Sequence, residues 1–170
     1  ATAGGYLDLQ ATVCTWTDNE VTNEGDSYKI LLEGAKYADE NDFTAVWTPE
    51  RHFHSFGGLY PNPAITNAAL ASVTKNVSLR AGSVVLPLHD VVRVAEEWSV
   101  IDLISNGRVG ISFASGWHAD DFVLMPDNYQ TRADIMYENI EKFKSLWRGE
   151  KISLINGLGK EILSLTQFDH

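Results

Sequence analysis

A chain of 170 residues, 44% of them hydrophobic, is the length of one domain and can bury a continuous core, which excludes a disordered segment. Thirteen basic against 23 acidic side chains give a formal charge of −10, arguing against nucleic acid or an anionic membrane as the main partner while allowing one basic phosphate pocket. The single cysteine, Cys14, excludes a disulfide framework and a cysteine-built metal cage and fits a reducing cytoplasm, and no apolar run approaches the roughly 18 residues of a membrane span.

In chain order, Leu7 to Val13 alternates apolar and polar residues and predicts a first strand. Asp26 is placed to cap a helix whose Ile30, Leu31, Ala35 and Ala38 recur at helical spacing, ended by Asn41-Asp42. The apolar run Ala45-Val46-Trp47 predicts a buried strand that empties at Pro49 into a loop, Glu50-Arg51-His52-Phe53-His54, followed by Gly57 and Gly58. After two prolines, Ala64 to Thr74 predicts a helix, and Val77 to Leu86 a second buried strand with Gly82-Ser83 inside it. Asp90 caps a helix from Val91 to Ile104, with Val94, Trp98, Ile101 and Leu103 near one face and Asn106-Gly107 at its close.

Val109 to Ala114 predicts a further strand, running into a second polar loop, Ser115-Gly116-Trp117-His118-Ala119-Asp120-Asp121. The last helix spans Thr131 to Trp147, with Ile135, Ile140, Phe143 and Leu146 near one face. Ile152 to Ile155 and Glu161 to Leu165 flank a turn rich in Asn and Gly, the pattern of a β-hairpin. Strand alternating with helix at this spacing predicts an α/β fold with parallel strands. Four such units suit either half of an eight-fold barrel or a doubly wound open sheet.

A carboxylate, a guanidinium and two imidazoles within five residues at a strand end make the Glu50 loop the place to look for chemistry. Glu50, His52 and His54 admit a metal reading, completed by His89, His118 or a carboxylate, because His-x-His at a strand end puts two imidazoles on one side. They admit a bland reading, one histidine bonded to backbone carbonyls and one solvated, and a reading as a substrate or cofactor site in which histidine supplies a proton or a hydrogen bond near neutral pH. Gly82-Ser83 reads either as a sheet irregularity or as close approach of a flat ring to the backbone. Ser115-Gly116 has the form of a phosphate-binding turn, without a dinucleotide fingerprint or a P-loop lysine. Cys14 reads as a small buried residue.

The segments AVWTPERHFHSFGGLYPNP, RAGSVVLPLHD and RVAEEWSVIDLISNGRVGISFASGWHADDF together resemble the bacterial luciferase-like flavin monooxygenases, in particular the branch found as a domain inside nonribosomal peptide and polyketide synthases. The resemblance runs from about residue 28 to 149. It implies a (β/α)8 TIM barrel, of which this chain resembles the N-terminal half plus a β-hairpin insertion. Reduced FMN sits at the C-terminal strand ends of such barrels and reacts with oxygen to give a C4a-hydroperoxide that oxygenates a substrate.

By position, Glu50-Arg51-His52-Phe53 matches the luciferases' Glu-His-His-Phe segment, with Arg51 where the catalytically important first histidine stands. Glu50, His52 and His54 are therefore the expected catalytic residues, handling protons and stabilising the peroxide. Gly82 and Ser83 fall where the family holds a non-proline cis peptide against the flavin ring, and Ser115 and Gly116 are expected on the ribityl or phosphate side. Ser115 stands where luciferase has a phosphate-binding arginine. Since serine carries no charge, the phosphate's other partners are expected in the barrel's second half.

No metal belongs to the expected set. The expected partners are a small-molecule or carrier-bound substrate from natural-product assembly, a separate flavin reductase, and further copies of the chain or a parent multidomain synthase, in the cytoplasm. Two alternatives are a deazaflavin (F420) hydride-transfer enzyme on the same barrel and an inert remnant with an assembly role. A third is a metal-dependent hydrolase built on His52 and His54.

Overall fold

A computed structural model describes residues 12–14, 28–54 and 58–164. Strand β1 (Thr12–Cys14) is followed by α1 (Lys29–Glu40), β2 (Ala45–Thr48), α2 (Pro63–Val73), β3 (Ser78–Val85), α3 (Val91–Ser105), β4 (Val109–Ala114), α4 (Arg132–Trp147) and the hairpin β5 (Ile152–Ile155) and β6 (Glu161–Ser164). Short 3-10 turns occupy Leu86–Leu88, Ala119–Leu124 and Pro126–Asn128. The predicted first strand survives over Thr12–Cys14; its earlier residues, the Asp26 cap, Gly57, Leu165 and the Cys14 side chain lie outside what is described. No helix among the described residues is long and apolar enough to cross a membrane.

The first four strands form one parallel sheet in the order β1-β2-β3-β4. A doubly wound sheet reverses its strand order at a switch point, whereas a barrel adds each strand beside the last. The strand order is thus that of a barrel. The outer face packs Val46, Leu79, Ala81 and Val84 against the helices, where Leu31, Leu70, Trp98, Phe143 and Leu146 complete a continuous core. The inner face carries Trp47, Arg80 and Gly110, paired in register across β2, β3 and β4. There the Arg80 guanidinium lies 5.3 Å from the centre of the Trp47 ring.

The helix ends follow their sequence signals. Pro63 opens α2 behind Asn62, whose side chain accepts from the Ala64 amide at 2.8 Å, and Asp90 accepts from the amides of Val92 and Arg93 at 3.0 Å. Asn106, left-handed at φ 57°, closes α3. Two faces differ from expectation. Ile30 is 64% exposed, because Leu31, Ala35 and Ala38 define the stripe of α1 that meets the sheet. Leu103 is equally exposed, since nine residues at about 100° per step set it half a turn from Val94.

At the N-terminal edge of the sheet, Asp39 of α1 accepts three amides, Lys75, Asn76 and Val77, at 2.6–2.8 Å. Arg108 binds the Thr74 and Val77 carbonyls next to it. Burial tends to raise the Asp39 carboxyl, but the three amides and the Arg108 charge outweigh it and hold the group below its ordinary value. With this edge fixed, the loops at the opposite, C-terminal edge are presented on a rigid base.

Candidate active site

The loop after β2 is docked onto the end of β3 by one carboxylate. Glu50 Oε2 accepts the Val85 amide at 2.7 Å, while Oε1 lies 2.8 Å from His52 Nε2 and 2.6 Å from His89 Nε2. The Glu50 side chain is wholly shielded from solvent, His52 is buried, and His89 is 21% exposed. Burial alone would raise the Glu50 carboxyl; the bonds from His52 and His89, the His89 charge and the Val85 amide reverse that and hold it below the ordinary carboxylate range. Burial tends to lower His89, yet Glu50's hydrogen bond and charge, with Glu97 beyond, raise it. With the carboxylate ionised, both Nε2 atoms donate to it. Each neutral ring then keeps Nδ1 as its acceptor.

His54 does not join this group. Phe53 between the two histidines is left-handed, at φ 53°, so the alternation that would place His52 and His54 on one side is broken. His54 Nε2 instead meets Asp121 Oδ1 at 3.2 Å, and its ring stacks on Trp117 at 5.8 Å and meets the edge of His118 at 4.4 Å. The strand-end loops after β2 and β4 are thereby joined.

Within β3, the Gly82–Ser83 peptide is cis, as the resemblance implied, and the β3–β4 register shifts there between Gly82 and Val84. Gly82 is exposed, and a Cβ on it would stand 2.8 Å from the Trp47 ring. The indole thus shapes this ledge from one side and leaves a bare backbone open on the other. Gly116 has φ +78°, and a Cβ there would meet Phe122 and Val85 at 2.9 Å, so the turn after β4 admits glycine alone.

Arg132, the first residue of α4, donates from Nε to the Gly116 carbonyl at 3.2 Å and from Nη1 to the Tyr129 carbonyl at 2.8 Å, with its guanidinium 4.6 Å from the centre of the Tyr129 ring. Among the described residues no hydrogen bond from Nη2 accompanies these two. The Arg132 guanidinium thus stands beside the turn that carries Ser115.

Of the residues expected from sequence, Glu50 and His52 are together, His54 is in the neighbouring cluster, and the Gly82–Ser83 ledge and Ser115–Gly116 turn lie at the same sheet edge. Sequence reasoning missed Asp121 and Arg132 and gave His89 only a place in a metal shell. The sole signals were a histidine directly after the Leu86–Leu88 turn and an arginine opening a helix behind the second polar loop.

Known proteins share this fold. The oxygenase component of the flavin-dependent trigonelline monooxygenase of Acinetobacter baylyi is 34% identical over 125 residues, 72% of this chain and 34% of that protein. The crystal structure of the monooxygenase RslO1 from Streptomyces bottropensis matches at TM-score 0.72 and 28% identity, over 85% of this chain and 44% of that one. The oxygenating constituent of 3,6-diketocamphane monooxygenase from Pseudomonas putida, solved with FMN, shares the fold at TM-score 0.79 and 15% identity, over 94% and 44%. The chain thus spans about a third of the curated relative and under half of each solved neighbour. The profile of the luciferase-like monooxygenase family matches residues 10–157, and the chain belongs to that family.

Proposed function

We propose that this chain forms part of an FMN-dependent monooxygenase site and contributes its proton-handling side. The observation that carries the reading is the convergence, at the C-terminal edge of the sheet, of a bare backbone ledge at Gly82–Ser83, the Glu50–His52–His89 group and the Arg132-backed Gly116 turn. These residues fit a flavin. The exposed glycine gives a flat ring access to backbone, and the Arg132 guanidinium with the Ser115 hydroxyl supplies a charge and a hydrogen bond for a phosphate.

Bound reduced FMN would supply the reaction with dioxygen that this chain's own side chains cannot perform. The protein's part is positional and protonic. Glu50 fixes the rings of His52 and His89, so that their Nδ1 atoms accept or return a proton, and Asp121 fixes His54 in the same way. Trp47 and Phe122 back the ledge and the turn with apolar surface.

The wider reading sets this site in natural-product assembly, in the cytoplasm, acting on a small or carrier-bound intermediate with reduced FMN delivered by a separate reductase. The sequence resemblance supports the setting, and the trigonelline enzyme's description as an oxygenase component supports the reductase.

The test is binding of oxidised and reduced FMN to the purified chain by fluorescence and calorimetry under nitrogen, followed by absorbance on admitting oxygen. Reduced-FMN binding that Arg132→Met weakens about tenfold or more, as loss of one charge-assisted bond implies, is expected. Absence of binding in both redox states would refute a flavin site on this chain.

A further inference from the structure

We propose that His54, His118 and Asp121 form a binding site for a divalent first-row transition metal of the zinc class, tying the loop after β2 to the loop after β4. The proposal does not rest on the flavin reading, and an ion there would take His54 and Asp121 out of the proton-handling role given them above. One ligand atom from each of the three residues lies within 4.8 Å of the others. Two imidazoles and a carboxylate are a donor set that suits zinc, cobalt or iron and disfavours magnesium and calcium, and three protein ligands leave a coordination position open.

The residues are brought together by folding, His54 and Asp121 being 67 apart in sequence. Shielding is substantial: the side chains of His54, Asp121 and His118 are 12%, 11% and 33% exposed. Neighbouring contacts also fix the rings, with Trp117 stacked on His54 at an interplanar angle of 11° and His118 edge-on at 87°. Ligands set in place before binding lose little freedom when the ion arrives.

The polar contacts between the three residues and their loop are long ones. The His54–Asp121 contact, at 3.2 Å, is longer than the roughly 2.7–2.9 Å of a charge-assisted bond, so an ion bridging the two would replace a weak contact. His118 Nδ1 accepts from the Asp120 amide at 3.3 Å and lies 3.9 Å from the Asp120 carboxylate, so coordination through Nε2 leaves both contacts in place. The Glu50 group is the opposite case. Both of its carboxylate oxygens are engaged at 2.6–2.8 Å, by two rings and an amide, which leaves an ion nothing to replace there without breaking strong bonds. The chain's formal charge of −10 further favours cations near its surface.

Untagged protein stripped with EDTA, equilibrated with micromolar Zn2+ or Co2+ and desalted, is expected to retain about one equivalent by mass spectrometry of the metal and to melt at a higher temperature than the stripped form. His118→Ala, whose side chain is the most exposed of the three, and Asp121→Asn are each expected to weaken retention at least about tenfold. Co2+ is also expected to quench Trp117, so Trp117→Phe should keep the metal and lose that part of the quenching. Failure of the wild-type chain to retain zinc or cobalt would overturn the proposal. So would retention that survives His118→Ala and Asp121→Asn, or retention lost in His89→Asn, which would place the ion on the Glu50 group. FMN titration of the same stripped and loaded samples reports on the flavin site separately.

Discussion

Glu50 holds two histidines and one amide with two oxygens, and its pH behaviour follows from that. Its carboxyl is depressed in the folded state, so its contribution is present above the ordinary carboxylate range and is lost as pH falls through the depressed value. His89 is raised, so its contribution is full below its ordinary range, near 6.5, and fades as pH rises through the folded value. Urea midpoints across pH should therefore fall at both the acid and the alkaline end. His89→Asn should flatten the alkaline fall, and an unchanged alkaline limb would show that the pair is not coupled.

Two glycines offer a matched contrast at the same scale. In Gly82→Ala the new methyl meets a rigid indole at 2.8 Å, and a loss of about 1–3 kcal/mol in denaturant unfolding is expected. In Gly110→Ala it meets the flexible Arg80 stem at 3.3 Å, and a change within about 0.5 kcal/mol is expected. Equal losses would mean that the indole yields as readily as the arginine.

Among the elements, Asp39 stands out because one carboxylate on α1 collects three amides at the entry to β3. Asp39→Ala should lower stability by about 1 kcal/mol, since water can replace the carboxylate at the two exposed amides and only the part-buried Val77 amide loses a shielded acceptor. Hydrogen exchange should show the Asn76 and Val77 amides losing protection first.

The elements themselves were legible because their signals are local. Asp90 and Asn106-Gly107 fix the two ends of α3, and β4 ends where its apolar run ends. The Glu50 loop was equally legible as a polar loop at a strand end. How its side chains pair was not: His89 comes to Glu50 across 39 residues and Asp121 to His54 across 67, and no local pattern encodes contacts of that range. The separation of His52 from His54 depends on a left-handed phenylalanine, a conformation that residue type rarely takes and that sequence does not announce.

For the molecule as a whole, β4 is the last strand of the parallel sheet among the described residues. Among the described residues β4 pairs with β3 alone, and an unpaired strand edge is a template for association. We expect the isolated chain to sediment heavier than a monomer at tens of micromolar and Ser112→Lys on β4 to shift it toward monomer; identical behaviour of the two would exclude β4 as the contact.

The pairing of Arg80 with Trp47 on the inner face sets a rule for anyone who would complete this sheet into a closed barrel by grafting or by design. An aromatic face offsets part of a guanidinium's charge while water reaches the other side, but once further strands close over it the cation has to be neutralised. The grafted strands must bring an aspartate or glutamate inward at the level of Trp47, Arg80 and Gly110. Apolar strands alone would close the barrel around an uncompensated charge.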